Sequence, residues 1–258
     1  MEATLQDFLA GSVFAFILTF VRVGTAVMIM PGIGDSFVST KIRLHFALGL
    51  SFVLFPFLKT YMPASVPGTV ELFPLIIYEF IIGLFFGTVT RIFMTAMDTA
   101  GQVVSVQSGL GSAQLFNPSL ATQGSLMGAF LSVTGVMVLF VTDMHHLLLT
   151  GLVESYNYFP VGNLPEAGGM AEIMTRSVSS AFAIGIRISA PFMVLSLLIY
   201  VGMGALSRVM PQMQVFIISL PLQILLSVML LMLCLSAMFV YWLQEFQEGM
   251  RFFFEAVE

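Results

Sequence analysis

Leu225-Leu226-Ser227-Val228-Met229-Leu230-Leu231-Met232-Leu233 is apolar at consecutive positions, interrupted by a single serine. A membrane-spanning β-strand alternates apolar and polar residues over segments of about ten, because one face meets lipid and the other a polar lumen. The run does not alternate, so it is read as helix. The apolar character continues on both sides, over 213–243, and recurs over 8–30, 42–58, 72–97, 126–150 and 178–206. A span needs roughly 20 apolar residues. With its connections, a chain of 258 residues holds at most about six such segments, which leaves little for a soluble domain. The fold class is therefore all-α, one integrated and membrane-associated helical unit.

Composition carries the same message. The chain is 58% hydrophobic and 9% charged, with a mean hydropathy of +1.00, where a soluble domain has about 45–50% and about 25%. So few charges do not cover a water-facing surface, which excludes an ordinary soluble globular protein and a disordered chain. Nine Lys and Arg against fourteen Asp and Glu give a net charge of −5. With no basic stripe for a phosphate backbone, nucleic acid is excluded as a partner. The single cysteine, Cys234, leaves neither a disulfide framework nor a thiolate metal site. The beginning of the chain, Met1 to Asp7, is acidic, and the first basic residue, Arg22, lies inside an apolar run. No secretory signal peptide is expected from that pattern.

Turn residues mark the breaks. Pro31-Gly32-Ile33-Gly34-Asp35-Ser36 closes the first segment, and Pro63 with Pro67-Gly68 closes the second. Asn157 to Gly169 separates the fourth from the fifth, and Met210-Pro211-Gln212 separates the last two. Pro56, Pro74, Pro191 and Pro221 fall within apolar runs. Each removes a backbone hydrogen bond and favours a kink. At Pro74 and Pro56 the plainer expectation is a helix start and a helix end.

Charge placement is unusual for simple bilayer spans. In a six-span topology Lys59, Arg176 and Arg251 fall on one side and Lys41, Arg43 and Arg208 on the other, three against three. The positive-inside rule then gives no orientation. Arg22, Glu79, Arg91, Asp143 and Arg187 each interrupt an apolar run. A charge at the bilayer centre costs at least about 2.5–3.5 kcal/mol on insertion scales. Each must face water, protein or an opposite charge, either as an ion relay or as a structural ion pair. Spacing offers no close acid–base pair within one helix, so any partner comes from tertiary or quaternary contact.

Residues 98–125 stand apart. After Asp98 the stretch has no charge and is rich in Gly, Ser and Gln. It is too polar for lipid and too uncharged for an ordinary surface loop. Gly109, Gly111, Asn117 and Pro118 break any continuous helix. Two readings stand, a re-entrant loop lining or closing a pore and a plain connection between helices. Gly109-Leu-Gly-Ser112 lacks the Lys-Ser/Thr ending of a phosphate loop. Gly83-Leu-Phe-Phe-Gly87 is a small-xxx-small pattern that lets two helices approach. Nineteen methionines suit either a deformable seal or an adaptable core, and composition favours the core. Asp143-Met-His145-His146 lacks zincin spacing. Adjacent histidines are expected to diverge on a helix, so the trio is read as a polar helix end or a subunit contact. No catalytic constellation and no cofactor or metal site is expected, and the chain is not read as an enzyme.

Several blocks in this order resemble the FliR family of flagellar type III secretion export-gate proteins. They are Arg22-Val-Gly-Thr-Ala-Val-Met-Ile-Met-Pro31-Gly32, the Lys41-Ile-Arg43 pair, Asp98 to Pro118, and Gly202 to Phe216 followed by Leu220-Pro221-Leu222. The Arg-x-x-Pro-Gln-x-x-x-Phe element at 208–216 is the most specific. The resemblance implies kinked helical hairpins assembling with FliP-like and FliQ-like subunits into a pore, residues 1–177 being FliP-like and 178–258 a FliQ-like hairpin. It implies FlhB-like and FlhA-like neighbours, passage of unfolded rod, hook and filament subunits, and a place in the inner membrane at the flagellar basal body. It places a plug loop at 105–122, carried by Gln107, Leu110, Gly111, Gln114, Leu115, Phe116, Asn117 and Pro118. Arg22, Asp143, Arg187, Arg208 and Gln212 are expected at subunit contacts. The alternatives are a virulence injectisome T subunit and, in another class, a stand-alone small-molecule or ion transporter.

Overall fold

The computed structural model describes residues 2–63, 68–112, 125–163, 167–210 and 215–251. Among the described residues every regular element is helical: α1 (Glu2–Ile29), α2 (Thr40–Leu58), α3 (Thr69–Gln107), α4 (Leu126–Val141), α5 (Met144–Tyr158), α6 (Ala167–Val209) and α7 (Val215–Met250), with single 3-10 turns at Lys59–Tyr61 and Leu110–Ser112. Five are long and apolar enough to cross a membrane, or up to six if α4 and α5 form one span.

Several boundaries differ from the sequence reading, α6 beginning at Ala167 rather than near 178 and α7 running on to Met250 rather than 243. The run 126–150 is two helices, broken at Asp143, whose φ of 59° is left-handed. Asp tolerates that region because its short polar side chain bonds locally. α3 does not stop near 97 but continues through Gly101 to Gln107, so the uncharged stretch begins as helix. Pro74 lies inside α3 rather than at its start, while Pro56 occupies the last turn of α2. Pro191 and Pro221 lie inside α6 and α7, as expected.

The helices contribute to two compact units. The first comprises Met1–Phe93, Thr142–Ser177 and Glu248–Glu258. Here Gly83 and Gly87 of α3 meet α1. A Cβ on Gly83 would overlap the Thr25 hydroxyl and the Arg22 carbonyl, and one on Gly87 would lie 2.9 Å from the Ala26 carbonyl oxygen. The small-xxx-small pattern thus brings two backbones together. The loop after α1 is pinned by Arg43, which donates to the carbonyls of Val38, Gly34 and Asp35 at 2.8, 3.0 and 2.8 Å. Asp35 in turn accepts from the Gly32 amide at 2.7 Å and pairs with Arg91 at 3.1 Å.

The second unit comprises Met94–Val141 and Val178–Gln247. Gly101 of α3 lies against the backbone of Gly128 of α4, with no room for a Cβ. Ser125 caps α4: its hydroxyl accepts from the Gly128 amide and donates to the Gly101 carbonyl, both at 3.1 Å. Asp98 accepts from the Ser132 hydroxyl. Ala181, Ile184, Ile188 and Phe192 form a buried stripe on α6, and Met238, Phe239, Trp242 and Phe246 form one on α7. Their spacing of three and four is that of one helix face.

Other faces of the same helices stay bare. Phe52, Val53 and Phe57 of α2, Leu197, Leu198 and Val201 of α6, and Leu225, Met229, Met232 and Leu233 of α7 are all exposed. Within the apolar window of α2 and of α7 only 17% of residues are buried, against 50% in α1. Contiguous apolar surface of this kind marks contact with lipid or protein.

Gly83→Val should push α1 from α3 and destabilise the fold by about 1–3 kcal/mol. Gly49→Ala, with nothing within 4 Å of its Cβ position, should be neutral or stabilising by up to about 1 kcal/mol. Thermal unfolding of the detergent-solubilised protein checks both; equal shifts would refute the close-approach account.

Candidate functional site

α3 ends where the uncharged stretch leaves it, and the bonds at that end can be fully traced. A helix leaves its last four carbonyls without intrahelical partners. Here the Val104 carbonyl accepts from the Ser108 amide at 2.8 Å and the Val106 carbonyl from the Gly109 amide at 3.2 Å. The Ser105 carbonyl accepts from the Ser108 hydroxyl at 3.1 Å. The fourth, on Gln107, accepts from the Nε2 amide of Gln223 on α7. The Gln107 side chain is held as well: its Oε1 accepts from the Ser196 hydroxyl of α6 at 2.6 Å. Gly109 then turns the chain with φ 79°, which glycine adopts without steric cost. A small cleft of about 10 Å³ lined by Val104, Ser108, Leu110, Met127, Ser227, Val228 and Leu231 lies beside the junction, at the limit of what one water needs.

Of the expected plug residues, Gln107 belongs to α3, while Leu110 and Gly111 form the 3-10 turn beyond it, half-buried. Gln114, Leu115, Phe116, Asn117 and Pro118 lie outside the described residues, as does Gln212. Ser196 and Gln223 were not singled out from the sequence. The available signal was an amide and a hydroxyl inside apolar helices, both of them buried.

The charged residues separate by burial. Arg22 is wholly enclosed and bonds inside the chain. Its Nε and Nη2 reach the two oxygens of Glu79 at 2.6 and 2.9 Å. Nη1 and Nη2 also reach the carbonyls of Ser155 and Phe159 at 3.0 and 2.8 Å, and Nη1 lies 3.5 Å from the Ser155 hydroxyl. The guanidinium sits 3.9 Å over the Tyr156 ring. The planar fork of arginine has five donors, and here carboxylate, hydroxyl and the carbonyls closing α5 receive them. A positive group at a helix C-terminus is also favoured by the helix dipole.

Asp143, Arg187 and Arg208 are exposed. Arg187 donates to the Tyr241 hydroxyl at 3.0 Å and lies 3.8 Å from Glu245. Arg208 occupies the last turn of α6. At Asp143 the expected divergence of the two histidines is not found. The His145 and His146 ring centres are 4.1 Å apart, and the ligand atoms of the trio lie within 4.8 Å of one another. The left-handed turn at Asp143 places the carboxylate beside the first turn of α5, 3.7 Å from His146 Nδ1.

The chain matches the family described as "Bacterial export proteins, family 1" over residues 13–249. It is 36% identical to the flagellar biosynthetic protein FliR of Caulobacter vibrioides, over 95% of this chain and 97% of that one. The chain belongs to the FliR family. The FliR of Aquifex aeolicus is 27% identical over 98% of this chain and 95% of its own. The Yop proteins translocation protein T of Yersinia pestis is 29% identical over 62% of each chain. The stretch matched to the bacterial export family runs from ahead of Arg22 to beyond Gln223, so it contains both the buried ion pair and the junction at Gln107.

For this FliR-family chain, replacing Glu79 with Leu strands a buried guanidinium and should cost about 3–5 kcal/mol. The double variant Arg22→Met/Glu79→Leu removes both charges and should recover most of that loss. Thermal unfolding of the three proteins in detergent is the measurement; a double variant no better than Glu79→Leu would show that the pair does not govern stability.

Proposed function

We propose that the chain is a pore-forming structural subunit of the flagellar type III secretion export gate, passing unfolded rod, hook and filament subunits across the bacterial inner membrane at the flagellar basal body. The observation that carries the reading is the junction at Gln107. A helix end with every carbonyl satisfied is where an uncharged Gly-, Ser- and Gln-rich segment departs, in a chain of a bacterial export family. A gate of this kind must exclude ions and still admit a polypeptide. On this reading Leu115 and Phe116 close it by dewetting, Gly111, Gln114, Asn117 and Pro118 belong to the same plug, and the absence of charge removes any fixed site for an ion. No bond is made or broken on this reading, and no cofactor is needed.

The bare faces of α2, α6 and α7 supply surface for FliP-like and FliQ-like subunits, for FlhB-like and FlhA-like proteins and for lipid. Residues 1–177 act as a FliP-like part. Residues 178–258, built on α6 and α7, act as a FliQ-like hairpin, with Arg208 and Gln212 at its tip. Asp143, exposed at the break between α4 and α5, and Arg187, exposed on α6, provide polar contacts to neighbours. The flagellar role is favoured over the injectisome role by the relatives' coverage, 97% of the Caulobacter vibrioides protein against 62% of the Yersinia pestis one. A stand-alone transporter would have to leave the bare apolar faces to lipid alone.

Deleting residues 113–122 should raise ion conductance through the assembled gate at least tenfold in planar bilayers or as membrane leak; unchanged conductance would reject the plug. Arg187→Ala and Asp143→Ala should each lower co-purification with FliP-like and FliQ-like subunits severalfold. Full recovery of the complex in both variants would remove these residues from the interface.

A further inference from the structure

We infer that Gln223 and Ser196 are positioning residues that fasten the end of α3 to α6 and α7, making Gln107 a fixed root of the closed gate rather than part of what yields. The inference rests on the plug reading above, and concerns the anchor on which that segment is mounted.

Ser108 and Gly109, next in the chain, satisfy three of the four terminal carbonyls of α3. Any helix end with a serine and a glycine after it could do the same. The fourth carbonyl and the Gln107 side chain instead take partners far away in sequence, Gln223 and Ser196. Both partners are buried, at 2% and 3% exposure. A polar side chain buried among apolar helices is costly unless bonded. Gln223 meets that demand through the Gln107 carbonyl. The Ser196 hydroxyl shares its single proton between the Gln107 carboxamide and the Met193 carbonyl of its own helix, the latter at 2.9 Å. Withdrawing Gln107 would strand its carbonyl, its carboxamide and the amide of Gln223 together. Gly109 is the first residue beyond the clamp. Its Cβ position would lie 3.3 Å from Leu220 and 3.7 Å from Gln223, so the left-handed turn is made directly against the clamping helix. The clamp therefore holds the chain through Ser108, and the chain changes direction at Gly109 before the Leu110–Ser112 turn.

The test uses the assembled gate with wild-type partner subunits. Losing one net hydrogen bond shifts a two-state balance roughly fivefold. Ser196→Ala should raise resting ion conductance by that factor, and Gln223→Leu by more, with normal subunit yield. Ser196→Thr, which keeps the hydroxyl, should close better than Ser196→Ala. The 113–122 deletion is measured beside them. If the deletion leaks and both clamp variants conduct like wild type, the clamp is overturned and the plug reading survives. If the deletion does not leak, the plug reading falls and this inference with it. Should Gln223→Leu fail to enter the complex, Ser196→Ala alone decides, and a wild-type conductance there overturns the clamp.

Discussion

A guanidinium enclosed by apolar helices has no water to turn to, so protein groups must surround it on every side. Arg22 meets this demand by drawing three helices together. Its own helix α1 supplies the charge, Glu79 on α3 the counter-charge, and the end of α5 two carbonyls and an aromatic face. The ion pair is directional where the surrounding packing is not. Leu, Phe and Met side chains specify burial, but a bidentate fork specifies one register. With Arg22 fixed, Gly83 falls opposite its carbonyl and Gly87 opposite Ala26, and the backbones close.

The second unit solves a related problem with neutral groups. The end of α3 is stitched by amides and hydroxyls, and Ser125 closes the start of α4 against Gly101. Glycine appears wherever backbone meets backbone, at Gly101 on Gly128 and at Gly185 on Ala96 and Thr99. In each unit a set of buried polar bonds, Arg22 with Glu79 in the first and Gln107 with Gln223 in the second, lies inside, while broad apolar faces stay bare. That inverts the surface of a soluble domain, and it explains why a chain with 9% charged residues still has well-defined internal polar bonding.

How much of this was legible in the sequence depends on distance along the chain. The apolar runs mark the helices because burial is written in local composition. The helical course of 98–107 was hidden, since Gly and Ser suggest a loop; the packing of Gly101 on Gly128 overrides that preference. The break at Asp143 was half legible: the Asp143-Met-His145-His146 stretch reads as a polar helix end, but a single left-handed residue does not say that the helix resumes at once in a new direction. For Arg22, spacing correctly placed any partner outside its own helix. The identity of Glu79, 57 positions away, is a property of the fold. The clamp on Gln107 spans 89 and 116 positions and was illegible for the same reason, and so most of the candidate site came from the structure.

The wiring of Arg22 also has a consequence in time. During synthesis at about 5–20 residues per second, Glu79 follows Arg22 by 57 residues, a wait of roughly 3–11 s on those rates. The carbonyl of Ser155 follows by 133 residues, roughly 7–27 s after the arginine. Through that interval α1 is an apolar helix with an unanswered cation two turns from its C-terminal end, and a poor candidate to enter lipid alone. Its settling must wait for α3 and α5, which makes biogenesis of this chain a matter of holding its first helix until much of the rest has been made.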